Sequence, residues 1–188
     1  SNTLNNSIEL LNKVFKDVYP TLDTYGDFRN LIKDSKAYST NWVYVSRYEK
    51  DKEKLRKIHN ETYPALKEQL TTIISTTHPE EAEVMGKIMS SFESILADQQ
   101  TVMESLNSAL AYEDAMTLFI CEDLVESNII PISDDLIEQL DATMAIKTEE
   151  TNKLIFQARS GHIHTWPAWG NFRLSHLRMV NTKYYPTN

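Results

Sequence analysis

Five histidines, one cysteine and a surplus of carboxylates are the side chains of this sequence with the most chemistry to offer. Their spacing gives them little to do together. His59 and His78 fall at opposite ends of one expected helix, about 28 Å apart at ~1.5 Å per residue, so they cannot share an ion. His162, His164 and His176 sit closer, and imidazole is the commonest metal ligand, but they lie in an acid-free, irregular C-terminal stretch. No Glu-x-x-His pair of the di-iron kind is present, and no Gly-rich phosphate loop, nucleophile elbow or His-Glu-x-x-His. Glu113, Glu122, Asp123 and Glu126 cluster, but no His or Lys is placed to make an acid–base pair with them. Cys121 stands alone, which excludes an intrachain disulfide and a Cys-rich zinc site; between Leu118 and Val125 it reads as a small core residue. The expectation is a chain with no catalytic residues, metal or cofactor, and so not an enzyme.

What remains are polar side chains on otherwise apolar stripes: Arg29, Ser35, Asn41 and Gln99. Burying any of them unpaired is costly. Each either makes a helix–helix hydrogen bond or lines a ligand pocket between helices. Two environments suit a ligand. Tyr38, Asn41, Trp42 and Arg47 form one, and Arg29, between Tyr25 and Ile32, forms the other. A guanidinium grips a carboxylate at two points, so the expected ligand is small and polar, a carboxylate being one form. The set around Trp42 is the preferred site, because acids elsewhere in so negative a chain are available to pair with Arg29.

The elements that must position these residues are helical. Glycine numbers four and proline six in 188 residues, too few for the turns an all-β fold needs. From Thr3 to Tyr48, Val14, Val18, Leu22, Tyr25, Phe28, Ile32, Tyr38, Trp42 and Val45 recur at three and four, the period of one helix face. Pro20 should bend this helix, since the Lys16 carbonyl loses its partner. The charge run 49–54 reads as a solvated turn. A second helix presents Leu55, Ile58, Thr62, Leu66, Leu70, Ile73 and Thr77, with Pro64 inside it. Thr77-His-Pro-Glu80 reads as a stop and a capped start. A third helix, through Val84, Ile88, Phe92, Ile95, Gln99, Val102, Leu106, Ala109, Met116 and Ile120, is expected to reach about Ser127. Asn128 and Pro131 should end it, and Ser133 should cap a fourth, with Leu136, Leu140, Met144, Thr151 and Leu154 on its stripe. The sum is an all-α fold, an antiparallel up-down four-helix bundle with long first and third helices. It spans 1–159 as one domain, and 160–188 is an atypical tail, either a short cap or non-native sequence.

Charge narrows the partners. The net charge is −8, and it is uneven: residues 1–150 carry −13 and residues 151–188 carry +5. Nucleic acid is not expected. No apolar run approaches the ~18–20 residues of a membrane span. The opening Ser-Asn without Met reads as a tag remnant, and the chain as a piece of a larger parent.

Four stretches in order, "VYPTL" (18–22), "SKAYSTNWVY" (35–44), "EKDKEKL" (49–55) and "IHNETYPALKEQL" (58–70), resemble the extracytoplasmic four-helix-bundle sensor module of bacterial transmembrane receptors. That family spans chemoreceptors and sensor histidine kinases, and the wording is closest to the kinases. The resemblance covers about residues 8–156. It implies a periplasmic domain of an inner-membrane protein, flanking membrane helices outside this sequence, and a parallel homodimer. It also implies signalling by displacement of the fourth helix relative to the first. In chemoreceptor relatives, arginines of the first helix bind an acidic ligand across the dimer. Only Arg29 and Arg47 are candidates here, and neither sits in a recognisable ligand motif. Leu11, Phe15 and Leu22, with Arg29, hint at a dimer stripe. The tail after Arg159 departs from the family. The alternative is a helical scaffold or protein-interaction module with no small-molecule ligand. Pro20 and Pro64 within helices lean toward the sensor, since a scaffold would favour uninterrupted heptads.

Overall fold

The computed structural model describes residues 2–45 and 49–160. Among them all regular structure is helical, in four helices. Helix α1 covers residues 2–44, α2 residues 49–77, α3 Ala82–Ser105 and α4 residues 115–160. Single 3-10 turns, Pro79–Glu81 and Leu110–Glu113, lie before α3 and α4. No described helix is long and apolar enough to cross a membrane. The expectations about the tail fall on residues 161–188, outside the described residues.

The third helix is a correction. It stops at Ser105, and the turn that was expected near residues 128–133 lies at 106–114 instead. Leu106 leaves the helical region at φ −105°, ψ 54°. Asn107 and Ser108 come next, residues whose side chains compete for nearby backbone groups; the Ser108 hydroxyl accepts from the Ala111 N–H at 3.3 Å. The new helix begins at a true cap. Asp114, in extended conformation, accepts from the N–H groups of Met116 and Thr117 at 3.0 and 3.2 Å, satisfying two of the four orphan donors. Ser133, expected as that cap, is buried inside α4. Thr77 makes no cap hydrogen bond either, and the start at His78 has none from a side chain.

Pro131 does not end a helix because the backbone widens ahead of it. A five-residue π turn, Ile73–Thr77, closes α2; inside helices that continue, such turns occupy Val14–Val18, Ile58–Thr62 and Val125–Ile129. Each ends two residues before a proline: Pro20, Pro64 and Pro131. In each case the residue before the proline donates five back, Tyr19 to Val14, Tyr63 to Ile58 and Ile130 to Val125. Proline brings no N–H and its ring crowds the carbonyl four residues earlier. One extra residue in the turn moves that carbonyl aside and lets the helix continue.

The chain falls into two compact units. The larger is Pro20–Met144. Its centre is an aromatic cluster from three helices: Phe28, Tyr63 and Phe92, with ring centroids 5.1–6.2 Å apart. The Tyr25 hydroxyl donates to buried Glu81 at 3.0 Å. The smaller unit pairs residues 2–19 with 145–160. There Val14, Val18, Thr151 and Ala158 are buried, and the Ser7 hydroxyl donates to the Ala158 carbonyl at 3.1 Å.

One of the polar stripe residues, Gln99, finds its partners across helices. Gln99 and Ser39 are fully buried; Gln99 Oε1 lies 2.8 Å from His59 Nε2, and Gln99 Nε2 donates to the Ser39 hydroxyl at 3.5 Å. Ser39 passes its own proton to the Ser35 carbonyl at 2.7 Å. With its carbonyl toward His59, Gln99 requires a proton on Nε2. Burial lowers the His59 pKa from 6.5, with the Gln99 hydrogen bond opposing. The unfolded chain therefore binds this proton at a pH where the folded chain does not. Stability is full above the unfolded value of 6.5 and falls as pH drops through the lower folded value. Urea midpoints at about pH 7.5 and 5.5 should show that fall, and His59→Gln should flatten it; an unchanged slope in the variant would assign the fall to other groups.

Candidate functional site

The end of the larger unit where α1 stops and α2 starts gathers cations on aromatic rings. Trp42 is 2% exposed, on the apolar face of α1. Its indole N–H donates to the Leu106 carbonyl at 2.9 Å, at the point where α3 terminates. Tyr112, from the 3-10 turn before α4, donates its hydroxyl to the Trp42 carbonyl at 2.5 Å. Burial, with smaller contributions from Cys121 and Glu49, pushes the Tyr112 phenol up to about 12, so it stays a donor at neutral pH.

Lys52 and Arg56, four apart and so on one flank of α2, both reach these rings. The Lys52 ammonium is 4.9 Å from the Trp42 ring and 5.0 Å from that of Tyr112, and the Arg56 guanidinium is 5.0 Å from the Trp42 ring. Such contacts contribute about 0.5–2 kcal/mol each, more when desolvated. Lys52 is only 7% exposed. Burial lowers its pKa; Glu49 opposes this and Arg56 adds to it.

The sequence-derived candidates take distinct partners. Trp42 holds Lys52 and Arg56. Tyr38 lies under Lys54, 5.5 Å from its ring, on the other flank of α2. Asn41 donates to Asp51 at 2.7 Å. Arg29 pairs with Asp141 of α4 at 2.9 Å, and its inward Nε–H has no partner among the described residues. Arg47 lies outside the described residues. The sequence reading missed Lys52, Arg56 and Tyr112. The charge run 49–54 is not the solvated turn its composition suggests: Glu49 already begins α2. Lys52 precedes core residue Leu55 by three, a helical signal that was there to be used.

On the Tyr38 side an open groove of about 510 Å³ runs between α1 and α2. Asp27 and Asp34 line it from α1, Lys54 and Lys57 from α2, so its charges compensate one another.

Among the described residues, one group could hold a metal ion. His78, Glu80 and Glu81 offer ligand atoms within 4.8 Å of one another. The sequence reading weighed His78 only against other histidines and passed over these carboxylates. His78 Nδ1 is 3.1 Å from Glu80, and Glu81 accepts from Tyr25, so all three already take part in hydrogen bonds. No family model, curated protein or solved structure matches the chain.

Proposed function

We propose that the chain is the extracytoplasmic input module of a bacterial transmembrane receptor of the sensor histidine kinase type. It would adopt an antiparallel up-down four-helix bundle, work as a parallel homodimer, and pass its signal by movement of α4 against α1. Support for the antiparallel path comes from three cross-helix pairs. Along α1, Arg29, Lys36 and Tyr44 meet Asp141, Asp134 and Glu126 of α4, in descending order. The observation that carries the functional reading is the separate unit built from the start of α1 and the end of α4, where Ser7 bonds Ala158. Two helices held side by side there can slide in small steps, because a side-chain bond to a backbone carbonyl is easily exchanged for its neighbour. Support for a dimer is the exposed stripe Leu4, Ile8 and Phe15, at spacings of four and seven on α1.

The test is a lock. With Cys121 replaced by alanine, Ser7→Cys and Ala158→Cys are placed in the full chain, joined to membrane helices and a kinase domain. Oxidation should change kinase output at least about threefold, a shift of under 1 kcal/mol between output states, and reduction should restore it. Equal output in both forms would remove the relay reading.

A second reading, a protein-interaction module without a small ligand, is favoured by one observation. Met116, Phe119 and Ile120 share one face of α4 and are each about half exposed or more, with Leu110 exposed in the preceding 3-10 turn.

A further inference from the structure

Lys52 is the one lysine or arginine buried among the described residues of Pro20–Met144. Its ammonium has three N–H donors, yet among the described residues it makes neither a hydrogen bond nor an ion pair; two aromatic rings are its neighbours. It meets the faces of those rings and makes no hydrogen bond to the Tyr112 hydroxyl. The Trp42 N–H is directed to Leu106 and the Tyr112 hydroxyl to the Trp42 backbone. The adjacent acid Asp51 is engaged by Asn41. Glu49, three residues earlier, favours its charge but makes no ion pair with it. Among the described residues this buried cation, beside an exposed guanidinium on the same ring, has no anion in direct contact.

We propose that Lys52 and Arg56, walled by the rings of Trp42 and Tyr112, receive the carboxylate of a small organic acid. This rests on reading the chain as a ligand-responsive input module, and it moves the ligand to α2 and to residues of a single chain. A carboxylate offers two oxygens to Arg56 and further lone pairs to Lys52. The rings shield Lys52 from water, which strengthens its contact with a bound carboxylate. A polyanion such as a nucleotide is disfavoured by the −13 carried by residues 1–150, whereas one carboxylate matches the two local cations. Burial and Arg56 disfavour the charged form of Lys52, with Glu49 opposing them; a bound carboxylate would act in the same sense as Glu49.

The test is calorimetric titration of the full chain with acetate, benzoate, succinate and indole-3-acetate, each beside its uncharged amide. At least one acid should bind with Kd below about 1 mM, and its amide at least about tenfold more weakly. Lys52→Met should weaken that acid about tenfold or more while Tm holds or rises, because an apolar side chain of similar volume replaces an unpaired buried charge. Arg56→Gln, at an exposed position, should weaken it in the same direction with Tm lowered by only a few degrees for the lost ring contact, and it decides the matter if Lys52→Met fails to fold. The proposal is overturned if no acid binds by about 10 mM, or if binding survives both substitutions. Titration reads binding alone and the disulfide lock reads relay alone. Binding with a silent lock would remove the receptor reading and keep the site; a responsive lock without binding would do the reverse.

Discussion

Trp42→Ala should destabilise the protein by about 3–5 kcal/mol, a large part of the ~5–15 kcal/mol that holds a typical domain folded. The indole is 2% exposed, so truncation leaves a cavity the size of a bicyclic ring between the helix ends. It also removes the donor to Leu106, whose carbonyl sits where α3 has already lost its helical partners. The bond from Tyr112 reaches the Trp42 backbone and should survive. Lys52 and Arg56, by contrast, lose the ring they share. Trp42→Phe separates the two contributions: it keeps an aromatic surface and removes only the N–H, and should cost about 1–3 kcal/mol for the unpaired carbonyl. Urea denaturation followed by circular dichroism at 222 nm suits both, since Trp166 and Trp169 complicate fluorescence. A loss below about 1 kcal/mol for Trp42→Ala would mean the indole is not packed, and would leave a binding face as its better explanation.

How far periodicity reveals burial depends on where each helix keeps its register. On α3 the stripe from Ile88 through Phe92, Ile95, Gln99 and Val102 to Leu106 is buried without exception. It fails at Ala109, Met116 and Ile120, which are exposed, because the stripe was carried across a turn. Nothing in apolar spacing marks Leu106–Asp114 as a break; the polar run Asn107-Ser108 and the cap Asp114 do. On α2, Thr62 was expected inward, but Tyr63 is buried and Thr62 exposed. The π turn Ile58–Thr62 adds a residue and rotates the rest of the helix about its axis. Likewise Thr21, not Leu22, is buried after the π turn on α1. The candidate site was legible in its apolar half, Trp42, and illegible in its cationic half. Charge on a short run reads as solvent exposure, and only the three-residue offset of Lys52 from Leu55 hints otherwise. Tyr112 was hidden by the same continuation of helix three that hid the turn.

The second large effect lies at the other functional extreme, in pure packing. Phe92→Ala should cost about 3–5 kcal/mol. Phe92 is fully buried and stands edge-on to both neighbours, 5.6 Å from Phe28 and 5.1 Å from Tyr63, with interplanar angles of 76° and 75°. Edge-to-face pairs of this kind contribute about 0.5–1.5 kcal/mol beyond the area they bury, and the truncation removes two at once. Collapse is hindered. Phe28 and Tyr63 belong to α1 and α2, and each is fixed in its own helix, Tyr63 directly after a π turn that sets its direction. The vacated space should therefore persist as an apolar cavity and take up benzene, which raises Tm when added in excess. Phe92→Leu keeps most of the volume and should cost less than half as much. Equal losses for alanine and leucine would show that ring orientation, not filled volume, holds α1, α2 and α3 together. A loss under about 1 kcal/mol with no benzene response would show that the three rings do not pack as a unit.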